Sequence, residues 1–154
     1  MEATGEATGH PLEVRDARPD DAPALGALLA ELGYPAPLAV LAERLGVLRQ
    51  GGEVVLVATR GGDRVGVLTI HVTPVLHRPT PVGRLTMLVV AERARGQGVG
   101  RALVEAGERI LATRGCALVE VTSNRRRTQA HAFYERLGYE ATSVRFKKSL
   151  LPDE

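Results

Sequence analysis

The chain has 154 residues, of which 44% are hydrophobic and 25% charged, values typical of one globular domain with a proper core. Its formal net charge of +2 gives no strong basic stripe for binding nucleic acid, and its single cysteine, Cys116, excludes an internal disulfide and a cysteine-rich zinc site. Because no apolar stretch approaches membrane-spanning length and the N-terminus lacks the basic and apolar regions of a signal peptide, we expect a cytoplasmic protein with no membrane partner.

The first half of the chain predicts a strand, two helices and a hairpin. Residues 1–11 contain the tetrapeptide Glu-Ala-Thr-Gly twice in tandem, and we expect a disordered tail there. Residues 12–17 suit a first strand. A helix then begins near Pro19, with leucines 25, 28, 29 and 32 at helical spacing, and a second helix is predicted over residues 37–48. The valine-rich runs 53–59 and 64–72, joined by Gly-Gly-Asp, predict a hairpin.

The second half predicts alternating strands and helices. Three prolines make residues 74–81 a loop, which precedes a strand over 82–91. A helix over 99–112, a strand over 117–122, a helix over 126–137 and a last strand over 139–148 follow. The order β-α-α-β-β-β-α-β-α-β indicates an α/β (α+β) fold, a mixed sheet with helices on both faces, in a single domain over residues 12–150.

A glycine-rich turn joins the fourth predicted strand to the third predicted helix. It reads Arg-Gly-Gln-Gly-Val-Gly from Arg95 to Gly100. Small residues let the backbone approach a ligand closely, and the N–H groups of a first helical turn favour an anion. The sixth position of a dinucleotide fingerprint is Arg101 rather than glycine, and no Walker lysine follows. The turn therefore indicates a phosphorylated ligand, although a simple strand-to-helix connection would have the same glycines.

A second segment narrows the interpretation. Residues 124–139 read Asn-Arg-Arg-Arg-Thr-Gln-Ala-His-Ala-Phe-Tyr-Glu-Arg-Leu-Gly-Tyr. Together with Arg95-x-x-Gly98-x-Gly100, this segment resembles the GNAT superfamily of N-acetyltransferases, and the resemblance covers roughly residues 17–148. It implies the GNAT acyl-CoA N-acyltransferase fold, in which the fourth and fifth strands splay apart, with acetyl-CoA as the acyl donor and an amine as the acceptor.

The resemblance also implies which residues bind the cofactor. The pantetheine arm would pair with the main chain of Leu88, Val89 and Val90, whose side chains also suit a plain core strand. Asn124 would bond the same arm, or serve as a helix N-cap, or both. The pyrophosphate would lie on the backbone of seven consecutive residues: Arg95, Gly96, Gln97, Gly98, Val99, Gly100 and Arg101.

For the chemistry, the resemblance places a general acid at Tyr134, which would return a proton to the leaving thiolate; the alternative is a packed core aromatic. The general base is less determined, because the fourth strand contains no acid where many family members have a glutamate. Glu120 on the fifth strand is one candidate, with an ion pair to a basic neighbour as its alternative. The other candidates are a water chain and three histidines: His71, His77 and His131.

The acceptor cannot be read from this sequence. We expect the loops at residues 33–35 and 74–81 to contact it. It could be a small amine, an aminoglycoside-like compound or a protein amino group, and a homodimer is compatible with the fold. A non-catalytic acyl-CoA-binding sensor or interaction module is the main alternative, and the modest charge disfavours an enzyme acting on charged tRNA.

Overall fold

The computed structural model of the chain describes residues 9–122 and 128–152, which divide into two compact units, one up to Val121 and one from Thr122 onward. The predicted tail falls largely outside the described residues. The elements of the first unit are β1 (Leu12–Asp16), α1 (Ala22–Leu32), α2 (Leu38–Gln50), β2 (Val54–Arg60), β3 (Asp63–Thr73), β4 (Val82–Val90), α3 (Val99–Thr113) and β5 (Leu118–Val121).

The five strands form one mixed sheet in the order β1-β2-β3-β4-β5. From β1 to β4 each strand is antiparallel to the next, whereas β5 runs parallel to β4. A bulge interrupts the pairing of β3 with β4: Thr69 pairs with Met87 and Ile70 pairs with Leu85, which leaves Thr86 as the extra residue. The predicted mixed sheet is thereby confirmed.

Helices cover both faces of this sheet. On one face α3 approaches closely, because a Cβ on its Gly107 would lie 2.8 Å from Leu68 Cδ2 of β3. The residues of β3 from Val65 to Ile70 are all buried, so the opposite face is covered as well, by α1 and α2. The core side chains of these two helices are leucines: Leu25, Leu28, Leu41 and Leu45.

A buried carboxylate ties β1 and β3 to the start of α1. The side chain of Asp21 is fully buried, and Arg15 contacts both of its oxygens, at 2.8 and 2.9 Å. Arg64 Nε donates to Asp21 Oδ1 at 2.8 Å, and the backbone N–H of Arg18 donates to Oδ2 at 2.7 Å. The hydrogen bonds from Arg15, Arg64 and Arg18 hold the pKa of Asp21 well below its usual range, against the opposing effect of burial.

The second unit contains α4 (Thr128–Arg136), which ends before Gly138 as the sequence predicts. The strand expected over residues 139–148 was wrong: the described part of this unit contains no strand. Val144 and Phe146, within this range, are 61% and 91% exposed. A strand needs a paired neighbour and one buried face, and this segment has neither within the part of the chain that the structure describes.

The remaining predicted elements lie within a few residues of their expected bounds. None of the helices in the described ranges has the length and apolar character needed to cross a bilayer.

Candidate active site

The sheet has an open edge beside the second half of β4. β3 pairs with β4 along its whole length, but β5 pairs only with its first four residues, from Val82–Leu118 to Leu85–Val121. From Thr86 to Val90, β4 therefore has no strand on its β5 side among the residues described. The backbone groups on that side are available to an extended ligand, as at any free strand edge.

Three predicted cofactor-binding residues, Leu88, Val89 and Val90, occupy this open edge. Val89 is buried, whereas Leu88 and Val90 are half-buried. Val89 lies opposite Val67 on β3, so its side chain belongs to the core while its main chain stays at the edge. The structure thus agrees with both interpretations of the sequence: core side chains, and a main chain that can pair with a ligand.

The glycine-rich turn follows the open edge after one short 3-10 turn, Glu92–Ala94. Gly96 and Gly98 have φ angles of 77° and 83°, a conformation that other residues rarely adopt. A Cβ on either would meet no protein atom within 4 Å, so open space lies over the turn. Gly98 is the N-cap of α3, and the first helical hydrogen bond runs from Ala102 N to Gly98 O at 3.0 Å. The N–H groups of the first turn therefore lack helical acceptors and suit a diphosphate.

Exposed arginines surround this turn. Arg95 and Arg101 are both exposed, and Arg101 Nε lies 3.3 Å from Glu105 on the next turn of α3. Gln97 is held from two sides, since its amide nitrogen donates to Arg93 O at 3.3 Å and its amide oxygen accepts from Arg60 at the end of β2. The turn is thus linked to the sheet, and its cationic side chains add to the positive potential of the helix N-terminus.

Glu120, the predicted candidate base, forms an ion pair. It lies opposite Arg84 in the parallel pairing of β4 with β5, and Arg84 Nε is 3.3 Å from Glu120 Oε1. Both side chains are about half exposed. This contact is the alternative that the sequence left open for Glu120, and a catalytic role for it stays a prediction.

Tyr134 belongs to the second unit, on α4. Its ring packs edge-to-face against Phe133 and Tyr139, with centroid distances of 5.1 and 5.7 Å. Burial raises the pKa of the Tyr134 phenol above its ordinary value near 10. The hydroxyl is therefore a neutral proton donor throughout the physiological range. Asn124 lies outside the described residues.

The sequence interpretation missed a polar cluster beside the open edge. Glu53 immediately precedes β2, and its carboxylate lies 3.3 Å from His71 Nδ1 and 3.1 Å from Thr86 Oγ1. Thr69 completes the cluster, with its hydroxyl 2.6 Å from that of Thr86. From the sequence, His71 was only one of several candidate bases, because the strand register that brings it to Glu53 is not visible in a single sequence.

A separate cavity of about 380 Å³ lies between β1, β2 and α3. Its lining includes Arg15, Leu56 and Arg109 but none of the predicted site residues. A ligand that needs the glycine-rich turn would not lie there, so we place the candidate site at the open edge of β4. The described residues contain no cluster of metal-ligating side chains.

Known proteins are similar to this chain in sequence and fold. The family model described as "Acetyltransferase (GNAT) family" matches residues 16–139. An aminoalkylphosphonate N-acetyltransferase of Salmonella typhimurium is 37% identical over 93 residues, which are 60% of this chain and 60% of that relative. The chain therefore spans less than two thirds of the length of this curated relative.

Two solved structures are similar over nearly the whole chain. An acetyltransferase of Trypanosoma brucei is 28% identical, with a TM-score of 0.80 over 91% of this chain and 100% of that one. An aminoglycoside N-acetyltransferase in complex with CoA has a TM-score of 0.82 over 93% and 97% of the two chains, at 19% identity, which shows a shared fold. Since the family model covers most of its length, the chain belongs to the GNAT acetyltransferase family, as the two sequence motifs predict.

Proposed function

We propose that the protein is an N-acetyltransferase that moves the acetyl group of acetyl-CoA to a primary amine in a ternary complex. The observation that carries this proposal is the open edge of β4 leading into a glycine turn at the N-terminus of α3. The edge accepts an extended arm through main-chain hydrogen bonds, and the helix N-terminus accepts a diphosphate. Coenzyme A has both parts in one molecule.

The reaction sets clear requirements on the protein. An ammonium acceptor must lose two protons: one before its nitrogen attacks the thioester carbon, and one as the tetrahedral carbon collapses. A C–N bond forms, the C–S bond breaks, and the departing thiolate takes up a proton. Anchoring and orienting the two reactants can contribute about 7–11 kcal/mol when the geometry is right, so few catalytic side chains are needed.

We assign the roles as follows. The backbone of residues 95–101 binds the pyrophosphate, the main chain of Leu88 to Val90 binds the arm, and Asn124 assists. Tyr134, which matches the aromatic-Tyr pair of the family motif, protonates the leaving thiolate as a neutral phenol. The acceptor class is open; similarity to an aminoalkylphosphonate acetyltransferase and to an aminoglycoside acetyltransferase makes small polyfunctional amines the first compounds to test.

The test is a panel of acceptors with acetyl-CoA, followed by the release of free thiol. Aminoalkylphosphonates, aminoglycosides, polyamines and peptides with free N-termini cover the main classes. We expect thiol release that requires the amine and yields the acetylated product by mass spectrometry. Tight acetyl-CoA binding without amine-dependent thiol release across the panel would favour the acyl-CoA sensor instead.

A further inference from the structure

Four charged or ionisable side chains form a row across the sheet. The pairing of Val54 with Ile70 places Glu53 opposite His71. His71 pairs in turn with Arg84, and Arg84 pairs with Glu120. Residues directly opposite each other in a sheet point to the same face. The row therefore lies on one face and alternates carboxylate, imidazole, guanidinium and carboxylate.

Contacts within the row divide it into two pairs. Arg84 and Glu120 are 3.3 Å apart, and so are His71 Nδ1 and Glu53 Oε1. The Glu53 side chain is only 15% exposed, and its second oxygen lies 3.1 Å from Thr86 Oγ1. Glu53 is thus hydrogen-bonded through one oxygen and lies at ion-pair distance from His71 through the other, while the His71 side chain is 39% exposed although its Nδ1 atom is buried without a hydrogen-bond partner.

The position of the row relative to the open edge suggests its role. Thr86, which contacts Glu53, is the bulge residue of β4 and the first residue beyond the last β4–β5 pair. From Val90 to Thr86 the edge spans about 13 Å, at about 3.3 Å per residue. An arm anchored at the glycine turn and paired along this edge would run from Val90 towards Thr86. The Glu53–His71 pair lies beside the far end of this free edge, towards which the acyl end of such an arm would point.

We propose that His71 is the general base for the acceptor ammonium and that Glu53 is its positioning residue. This inference rests on the proposed function and concerns the same site. Glu53 Oε1 lies 3.3 Å from the buried Nδ1 atom, without hydrogen-bond geometry in this structure; a proton on Nδ1 would face the carboxylate and leave the lone pair on Nε2. The ammonium N–H bond breaks, its electrons stay on the amine nitrogen, and the proton binds Nε2 and then passes to water at the exposed ring.

The charged groups around His71 are consistent with this role. Glu53 stabilises the imidazolium that forms, and Arg84, the other neighbour in the row, is paired with Glu120. The helices on this face, α1 and α2, bury leucines against the sheet. Because Glu120 is already engaged by Arg84, His71 is the better-placed base of the two.

The kinetic test compares His71→Gln with His10→Gln, a matched change at an exposed histidine that precedes β1. For H71Q we expect kcat/KM to fall by about 10²-fold or more, with loss of the acid limb of its pH profile and partial rescue by added imidazole. The affinity for acetyl-CoA and the thermal unfolding midpoint should remain near wild type, as should all properties of H10Q. In Glu53→Gln we expect kcat/KM to fall as well, because the carboxylate that positions the imidazole is gone.

Activity-independent evidence comes from the imidazole ¹⁵N shifts of the unliganded protein. We expect neutral His71 to carry its proton on Nδ1 in the wild type and to lose this preference in E53Q. The inference would be overturned if H71Q kept the wild-type acid limb and kcat/KM while Glu120→Gln lost both. The proposed function would remain intact in that case. An unaltered ¹⁵N pattern in E53Q would also overturn it. A wild-type protein that acetylates no amine would instead refute the proposed function.

Discussion

Leu85 and Val121 are the last pair of residues that joins β4 to β5; beyond them the two strands no longer pair. In the four-residue strand β5, Val121 is the final residue, while β4 continues to Val90. The short strand is therefore what leaves the edge of β4 open. Since β4 leads through one short 3-10 turn, Glu92–Ala94, into the start of α3, one continuous stretch of backbone offers both the edge and the helix N-terminus. The predictions below test its parts separately.

The first prediction concerns the conformation of the turn. Gly98 has a φ of 83°, and Ala there costs about 1–2 kcal/mol of backbone strain, so the turn should shift and the first-turn N–H groups should lose their alignment. We expect Gly98→Ala to weaken coenzyme A binding about tenfold or more in calorimetry. The control is Gly46→Ala in α2, where a Cβ also meets nothing within 4 Å but φ is not positive. That variant should bind normally and be as stable as wild type or more so.

The second prediction concerns charge at the two ends of α3. Arg95 precedes the N-terminus and Arg114 caps the C-terminus, and both are exposed. Losing one charge-assisted hydrogen bond of about 1.4 kcal/mol raises a dissociation constant about tenfold. Arg95→Gln should therefore weaken coenzyme A binding about tenfold, and by a smaller factor at high salt. Arg114→Gln should leave coenzyme A binding unchanged. Equal effects of the two changes would show that general attraction, rather than the turn, binds the cofactor.

Much of the fold could be predicted because its signals are local. Leucines at helical spacing, valine-rich strands and a Gly-Gly-Asp turn lie within short windows of sequence. The family motif is local as well, because the glycines of residues 95–100 act through their own backbone. By contrast, Val144 and Phe146 alternate as strand residues do, and the structure leaves both exposed. Local alternation indicates that a strand is feasible but cannot supply its pairing partner.

The polar contacts were less predictable for the same reason. Asp21 lies near the predicted start of the first helix, but it is a buried partner of Arg64, 43 positions away, which local sequence does not indicate. Glu53 and His71 become neighbours only through the register of β2 with β3. The bulge at Thr86 shifts the register of β4 by one residue, which no periodicity in the sequence indicates. Contacts between strands therefore had to come from the structure.

The third prediction tests the general acid. Tyr134→Phe removes the phenol hydroxyl and keeps the ring that packs against Phe133 and Tyr139. We expect turnover to fall by about 10²-fold or more, with coenzyme A affinity little changed. Because burial raises the pKa of Tyr134, the wild type should keep its activity to high pH before an unprotonated acid limits the rate. Tyr139→Phe, the same change on the neighbouring ring, is the control; near-normal turnover in Y134F would remove the assignment.

The fourth prediction tests the buried carboxylate that ties β1 and β3 to α1. Asp21→Asn removes the charge that Arg15 and Arg64 neutralise, and breaking such a buried pair costs about 3–5 kcal/mol. The two guanidinium side chains remain 23% and 30% exposed, so water can compensate in part, and we expect a loss of about 2–3 kcal/mol in urea unfolding at pH 7. Asp20→Asn is the control: this side chain is 72% exposed and 3.9 Å from Arg64, and its replacement should change stability by less than about 0.5 kcal/mol.

The pH dependence of the stability loss in Asp21→Asn tests whether the charge of Asp21 causes that loss. The pKa of Asp21 is lowered in the folded state, so its stabilisation is complete above the unfolded-state value of about 4 and disappears as the pH falls towards the folded-state value. The difference in unfolding free energy between wild type and D21N should therefore be constant from about pH 5 to 7. It should shrink below about pH 4. A difference that stays the same at pH 3 would assign the loss to packing or hydrogen-bond geometry rather than to the charge of Asp21.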